Sequence, residues 1–211
     1  MSKFYSQEQR ALQETFATRA LADRLEEMIV HAEFSDEEIA FVAARDFFFL
    51  ATTGSDGHPT ASYKGGRPGF VTVAGNRLRF PCFDGNGMFL SMGNIDATAK
   101  VGLLFIDFEV PKRLRVQGEA RLVPSSAPGI LAFVEVTPAS IFVNCPRYIH
   151  RYARIEDAKH APREDGSAPL AQWKRIEAFQ DALPEADRKA VDAAGTLGLE
   201  EAMEKFNRGE G

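Results

Sequence analysis

The chain has 211 residues, 45% hydrophobic and 26% charged, with a formal net charge of −5 at pH 7; this suits one sizeable core with extensions and argues against a nucleic-acid partner, which demands a basic face. No apolar run reaches the ~18–20 residues of a membrane span, and Met1-Ser2-Lys3-Phe4-Tyr5 leads into polar helix rather than an apolar signal core, so no membrane partner and a cytoplasmic location are expected. Cys82 and Cys145 are too few for a disulfide scaffold, and His31, His58, His150 and His160 lack zinc-site spacing, so no metal is expected.

Residues 6–30 read as helix, with Leu21, Leu25, Met28 and Ile29 as an apolar stripe at helical spacing. Ser35, with Glu38 three residues later, forms a capping box that opens a second helix ending near Arg45; Phe34 and Ile39 take the staple positions. The period then changes. Phe47 to Thr53 is aromatic and β-branched and reads as a strand, and its continuous apolar character predicts burial on both faces. A Gly/Asp/Pro turn at 54–59 leads to a second strand, Thr60–Lys64. Further strands are expected over Phe70–Val73, Arg77–Cys82, Val101–Phe108 and Arg113–Val123, six in all, with a short helix over Gly87–Met92. Pro124, Pro128 and Pro138 mark a connection, followed by an extended piece, Ser140–Asn144. Pro162 to Gly166 reads as a loop. Trp173, Ile176, Phe179 and Leu183 mark a helix face, Pro184 opens another helix, and a last one runs to about Phe206.

Chemistry concentrates between Lys64 and Met88. Apolar strands lead into the loop Asp84-Gly85-Asn86-Gly87, and a helix-like segment follows at once. A helix start exposes unpaired backbone N–H groups and the positive end of the helix dipole, and glycines let a ligand approach that backbone closely. Lys64 adds a full positive charge. Together these residues point to a phosphate-bearing cofactor at the edge of a β-barrel. The plainer readings are a solvated strand end for Lys64 and an ordinary turn for the Asp-Gly and Asn-Gly dipeptides. Arg113 and Arg115 share one strand face. Cys145 reads as an inert thiol, and Trp173 as a core residue on a helix face.

The segments Asp46-Phe47-Phe48-Phe49-Leu50-Ala51-Thr52-Thr53, Asp56-Gly57-His58-Pro59, Ala61-Ser62-Tyr63-Lys64, Phe80-Pro81-Cys82-Phe83-Asp84-Gly85-Asn86-Gly87-Met88, Val101-Gly102-Leu103-Leu104-Phe105 and Arg113-Leu114-Arg115-Val116-Gln117-Gly118, in this order and spacing, resemble the pyridoxamine 5′-phosphate oxidase-like family of FMN-binding split barrels. The resemblance runs from roughly Ala22 to Arg151. It implies a mainly β fold, a six-stranded antiparallel split β-barrel (Greek key) with helical N- and C-terminal extensions. Residues 1–45 would pack on the barrel as helices, 46–154 would form the FMN-binding barrel, and 155–211 a helical extension, within a single domain overall. It also implies a homodimer with FMN in clefts between subunits. Ser62, Tyr63 and Lys64 would lie along the flavin, Pro81 and Cys82 near its ring and ribityl chain, and Asn86, Gly87 and Met88 at the phosphate. Arg113 takes the place of a glutamine at the pyrimidine edge, where it would stabilise negative charge at N1–O2. Asn144 and Arg147 would close the site from the partner subunit.

The chain departs from the oxidases proper at two places. Gly87 and Met88 stand where those enzymes present an Arg-Lys pair to the phosphate, and Asn144-Cys145-Pro146-Arg147-Tyr148-Ile149-His150 stands where their substrate-binding segment is expected. These departures point away from oxidation of pyridoxamine phosphate. The expectation is an FMN-dependent oxidoreductase acting on an unknown small organic substrate, with NAD(P)H as a candidate donor and no catalytic acid or base assigned. The alternatives are a flavin-binding or sensing protein with little turnover, or a relative holding haem or deazaflavin in the same cleft.

Overall fold

The computed structural model describes residue 2 and residues 4–163 and 165–210. Met1, Lys3 and Glu164, which the readings of the N-terminus and of the 162–166 loop touch, lie outside the described residues, as does Gly211. The chain divides into a unit ending at Ala161 and another beginning at Pro162.

The single helix expected over 6–30 is two helices, α1 (Gln7–Thr15) and α2 (Arg19–Ile29). Ala17 breaks them apart at φ +54°, and the Thr18 N–H returns to the Gln13 carbonyl at 2.8 Å. No glycine or proline marks the break; Thr15, Phe16 and Thr18 are merely weak helix formers. A polar seam of Arg10 with Asp23 and Glu26 joins α1 to α2. The stripe of Leu21, Leu25 and Met28 is exposed, and Ala22 is the buried residue of α2. Helix α3 (Asp36–Ala43) begins at Ser35 with the expected reciprocal bonds to Glu38.

Among the described residues seven antiparallel strands follow, not six: β1 (Phe47–Thr53), β2 (Pro59–Gly65), β3 (Thr72–Ala74), β4 (Arg77–Phe83), β5 (Lys100–Asp107), β6 (Lys112–Pro124) and β7 (Ile130–Val143), with α4 (Leu90–Thr98) between β4 and β5. Their order is β2-β1-β5-β6-β7-β4-β3, and the sheet is not closed by hydrogen bonds. It curls nonetheless: Phe48 of β1 meets Phe80 of β4 with ring centroids 4.9 Å apart, although three strands separate them in the sheet. Phe48, Leu50, Leu78, Phe80, Leu103, Phe105, Leu114, Val116, Val134 and Val136 fill the concave side.

Strand β7 takes up the segment read as a proline-rich connection. Pro138 lacks an N–H, and a central strand tolerates it only at an irregularity. The β6–β7 register shifts between Gln117 and Gly118, the residue paired with Pro138. A Cβ on Gly118 would lie 2.2 Å from the Thr137 carbonyl oxygen, so the close approach requires glycine.

Strand β1 is not buried on both faces. Phe48, Leu50 and Thr52 are buried while Phe49 and Ala51 are exposed, so it alternates like any strand with a single core face.

The second unit has no long helix over 173–183. Residues Gln172–Arg175 and Glu177–Phe179 form two 3₁₀ turns, followed by α5 (Glu185–Ala194) and α6 (Leu199–Asn207). Ile176, Leu197 and Ala202 are its core, with Trp173 and Phe206 against them. The buried Lys174 ammonium pairs with Asp187 at 2.9 Å.

Candidate functional site: the seam between β2 and β4

Cross-strand register assigns each sequence-predicted residue to a face. Lys64 pairs with Phe48, Ser62 with Leu50 and Thr60 with Thr52. All three partners are buried, so Ser62 and Lys64 lie on the concave side and Tyr63 on the convex side. Likewise Cys82 follows the buried Phe80 at period two, and Pro81 points the other way.

Helix α4 packs chiefly against β1 and β6 and also touches β2 and β5. Asn94 Nδ2 donates to Thr52 Oγ1 at 3.1 Å and to Thr60 Oγ1 at 3.2 Å. Thr98 Oγ1 donates to the Thr53 carbonyl at 2.8 Å. Thr52 is 2% exposed, so these bonds satisfy an otherwise buried hydroxyl. The first turn of α4 then meets both strands. Ser91 Oγ lies 3.2 Å from Ser62 Oγ, and the Cys82 thiol donates to Met92 Sδ at 2.9 Å.

The helix runs Leu90–Thr98, three residues later at its start than the sequence suggests. The loop before it is tighter than an open turn. Gly87 has φ +73°, Asn86 Oδ1 accepts the Met88 N–H at 3.1 Å, and Phe89 enters α4 in the left-handed region at φ +50°. Among the described residues no side chain caps α4. Its first-turn N–H groups therefore lack a side-chain capping oxygen, at the positive end of the helix dipole.

Lys64 is half-buried and makes no hydrogen bond or ion pair among the described residues. Its charge reaches Cys82: burial pushes that thiol above its ordinary value, and Lys64 opposes the rise. One seam thus holds a free ammonium, an uncapped helix start, two hydroxyls and a neutral thiol. This donor set suits a phosphate ester, and Gly87 leaves the loop backbone open to it.

The remaining predicted residues are elsewhere. Leu114 and Val116 are buried, so Arg113 and Arg115 lie on the convex face, opposite to Lys64. Arg113 Nη2 donates to the Cys145 carbonyl at 2.8 Å, which brings Arg113 beside the 144–147 segment of its own chain. Within one chain the structure groups Ser62, Lys64 and Cys82 with the start of α4, and separately groups Arg113 with Asn144-Cys145-Pro146-Arg147.

The convex face of β2, β1 and β5 is unusual. Register aligns Tyr63, Phe49 and Leu104 in one row, and Ala61, Ala51 and Gly102 in the next. A solvated sheet face normally alternates to polar residues. Here Tyr63 is 60% and Phe49 37% exposed, and Phe47 stacks on Tyr63 with centroids 5.3 Å apart. An open groove of about 530 Å³ borders the small-residue row, lined by Ala51, Gly102, Gln117 and Ala139 among others.

Sequence reasoning missed Ser91, Asn94 and Thr98. Their spacing of three and four places them on one helix face, matching the inward polar positions Thr52, Thr60 and Ser62. That match was available in the sequence.

A family model described as pyridoxamine 5′-phosphate oxidase matches residues 34–156. No curated protein matches the chain. Among solved structures, HupZ of Group A Streptococcus is 16% identical over 52% of this chain and 94% of its own, with a TM-score of 0.43. The heme storage protein HutZ of Vibrio cholerae is 15% identical over 53% and 94%, with a TM-score of 0.41. An FMN-binding protein of Syntrophomonas wolfei is 9% identical over 64% and 97%, with a TM-score of 0.42.

Proposed function

The chain belongs to the pyridoxamine 5′-phosphate oxidase family, and from that membership and the β2–β4 seam we propose that it is an FMN-dependent oxidoreductase acting on a small organic substrate. The observation that carries this reading is Lys64: a half-buried ammonium with no protein partner among the described residues, near enough to Cys82 to lower its pKa, where Cys82 itself meets Met92 of the first turn of α4. An unpaired charge in such a place is costly unless a counter-charge arrives, and a flavin phosphate supplies one.

The bound flavin would supply the hydride or electron chemistry. The chain's own residues would hold and orient it. Lys64, the first-turn N–H groups of α4 and the Asn86-Gly87-Met88 loop would take the phosphate, while Ser62 and Cys82 would flank the rest; Tyr63 and Pro81 point away from this seam and would reach a flavin only at a sheet edge or from a second copy. Arg113 lies on the opposite face from Lys64 and bonds the Cys145 carbonyl, so we assign it, with Asn144 and Arg147 of the neighbouring segment, to the partner's site in a homodimer. The apolar convex face of β2, β1 and β5 supports that pairing, because a row of exposed Tyr63 and Phe49 beside partly exposed Leu104 is what an interface between copies buries. At the pyrimidine edge Arg113 would stabilise negative charge, and its guanidinium holds its proton at every working pH.

A second reading has its own support. Gly87 and Met88 bring no cation to the phosphate, which favours looser binding and a flavin-holding or sensing role with little turnover. The absorbance spectrum of the purified protein, followed by flavin reduction with NAD(P)H, tests both. A flavin spectrum with multiple turnovers supports the oxidoreductase, and a flavin spectrum without turnover supports the holder. A haem or deazaflavin spectrum refutes FMN as the ligand.

A further inference from the structure

The convex face of β4, β7 and β6 carries a second set of unusual charges. Register places Arg79 opposite Glu135, and Glu135 opposite Arg121, in one row across three strands. Arg77 lies two residues before Arg79 on the same face. The Glu135 carboxylate pairs with Arg121 at 2.5 Å and with Arg77 at 3.8 Å. It is committed to those two and leaves Arg79 without a counter-ion.

Arg79 is nevertheless held in place. Its guanidinium carbon lies 3.8 Å from the centroid of the Phe133 ring, and Phe133 sits on β7 two residues from Glu135. Its Nε is buried and has no acceptor. Arg19 and Arg113 share that last feature, but Arg19 pairs with Glu14 and Asp23, and Arg113 donates to the Cys145 carbonyl. Arg79 makes no hydrogen bond or ion pair among the described residues. A half-buried guanidinium stacked on an aromatic ring, with a buried Nε and no protein acceptor among the described residues, is suited to take an oxyanion.

We propose that Arg79, Arg77 and Arg121 form a binding site for a phosphate group, separate from the flavin seam. Charge selects the ligand class. Three guanidiniums face one carboxylate, so the patch has two positive charges in excess, within a chain whose net charge is −5. A carboxylate ligand neutralises only one of them. A phosphate monoester, at about −1.5 to −2 near neutral pH, matches the excess and accepts bidentate hydrogen bonds from a planar fork. The site is not the cofactor cleft seen from behind: Leu78 and Phe80, the neighbours of Arg79, point to the concave side that Lys64 and Cys82 share, and Arg79 points away.

Calorimetric titration of the full chain with inorganic phosphate and with glycerol 3-phosphate tests the proposal, run in the wild type, Lys64→Ala, Arg79→Gln, Arg121→Gln and Glu135→Gln. Saturable binding is expected that survives Lys64→Ala and weakens by about tenfold or more in Arg79→Gln, the effect of losing one charge-assisted donor group. Arg121→Gln should weaken it as well, and Glu135→Gln should tighten it by removing the competing carboxylate. Tighter binding of the ester identifies an organic phosphate as the ligand, and equal binding identifies free phosphate. No saturable binding in the wild type overturns the proposal. So does binding that Lys64→Ala abolishes and Arg79→Gln spares. Should Arg79→Gln fail to fold, unchanged affinity in Arg121→Gln, whose side chain is largely exposed, overturns it too.

Discussion

Replacing Lys64 with alanine should weaken FMN much more than riboflavin. The two ligands share the ring and ribityl chain and differ only in the phosphate, so the ratio of the two losses isolates the phosphate contact. The ammonium is half-buried, lies beside Cys82 and has no partner within the protein among the described residues. Its loss therefore breaks no internal ion pair, and Tm should change little. A charge-assisted hydrogen bond is worth roughly 1.5–3 kcal/mol, or about tenfold to 150-fold in affinity. The lower end applies if water screens the contact and the upper if the partner subunit covers it. Fluorescence titration of each flavin against wild type and variant measures both losses. The thiol supplies a control. Lys64 holds the Cys82 pKa down against burial, so the variant's Cys82 should titrate at still higher pH. Equal losses of FMN and riboflavin would refute the reasoning and make Lys64 a general packing or solubility residue.

Four further outcomes are expected. Asn94→Ala should lower Tm and weaken FMN and riboflavin alike, because Asn94 pegs α4 to Thr52 and Thr60 rather than touching the phosphate; an FMN-selective loss would contradict this. Gly118→Ala should destabilise by about 1–3 kcal/mol or more, read as a Tm drop of several degrees, since its Cβ would enter the Thr137 carbonyl. Arg113→Gln should lower the flavin midpoint potential by tens of millivolts, about 30 mV per 1.4 kcal/mol for a two-electron couple; an unchanged potential would remove Arg113 from the ring. Light scattering at micromolar concentration should give a dimer, and Tyr63→Glu on the convex face should shift it toward monomer.

Much of the fold was legible because its signals are local. The Ser35–Glu38 capping box specifies a helix start through two reciprocal bonds between neighbours, and α3 begins there. The β1–β2 hairpin follows from a turn rich in glycine and aspartate between two strand-like runs, and it pairs from Phe47–Gly65 to Thr53–Pro59. What was not legible depended on distant partners. Strand β7 contains Pro138, which by itself argues against a central strand. Only Gly118, twenty residues earlier on another strand, makes the bulge that accommodates it. The run Phe47-Phe48-Phe49-Leu50 reads as doubly buried because hydrophobicity alone does not separate a core-facing side chain from an exposed apolar one. Phe48 and Leu50 face this chain's core, while Phe47 and Phe49 lie in the aromatic convex face.

The same distinction explains the site. The resemblance names Ser62, Tyr63 and Lys64 together along the flavin, and period two puts only Ser62 and Lys64 on one strand face. Tyr63, named beside them, necessarily points the other way. A contiguous triplet on a strand cannot line one surface, so Ser62-Tyr63-Lys64 touches a single flavin only where the two faces meet at an edge or where two copies meet. Arg113 sharpens that conclusion: it is convex, three strands away in the sheet from Lys64, and tied to the Cys145 carbonyl of its own chain. If one flavin contacts both Lys64 and Arg113, a second copy must supply one of them. The homodimer then becomes a geometric requirement of the proposed chemistry rather than an accessory to it. Dilution below the dimer's dissociation constant should therefore cost flavin binding in step with mass, and a monomer that keeps full FMN affinity would show that Lys64 and the α4 start suffice alone.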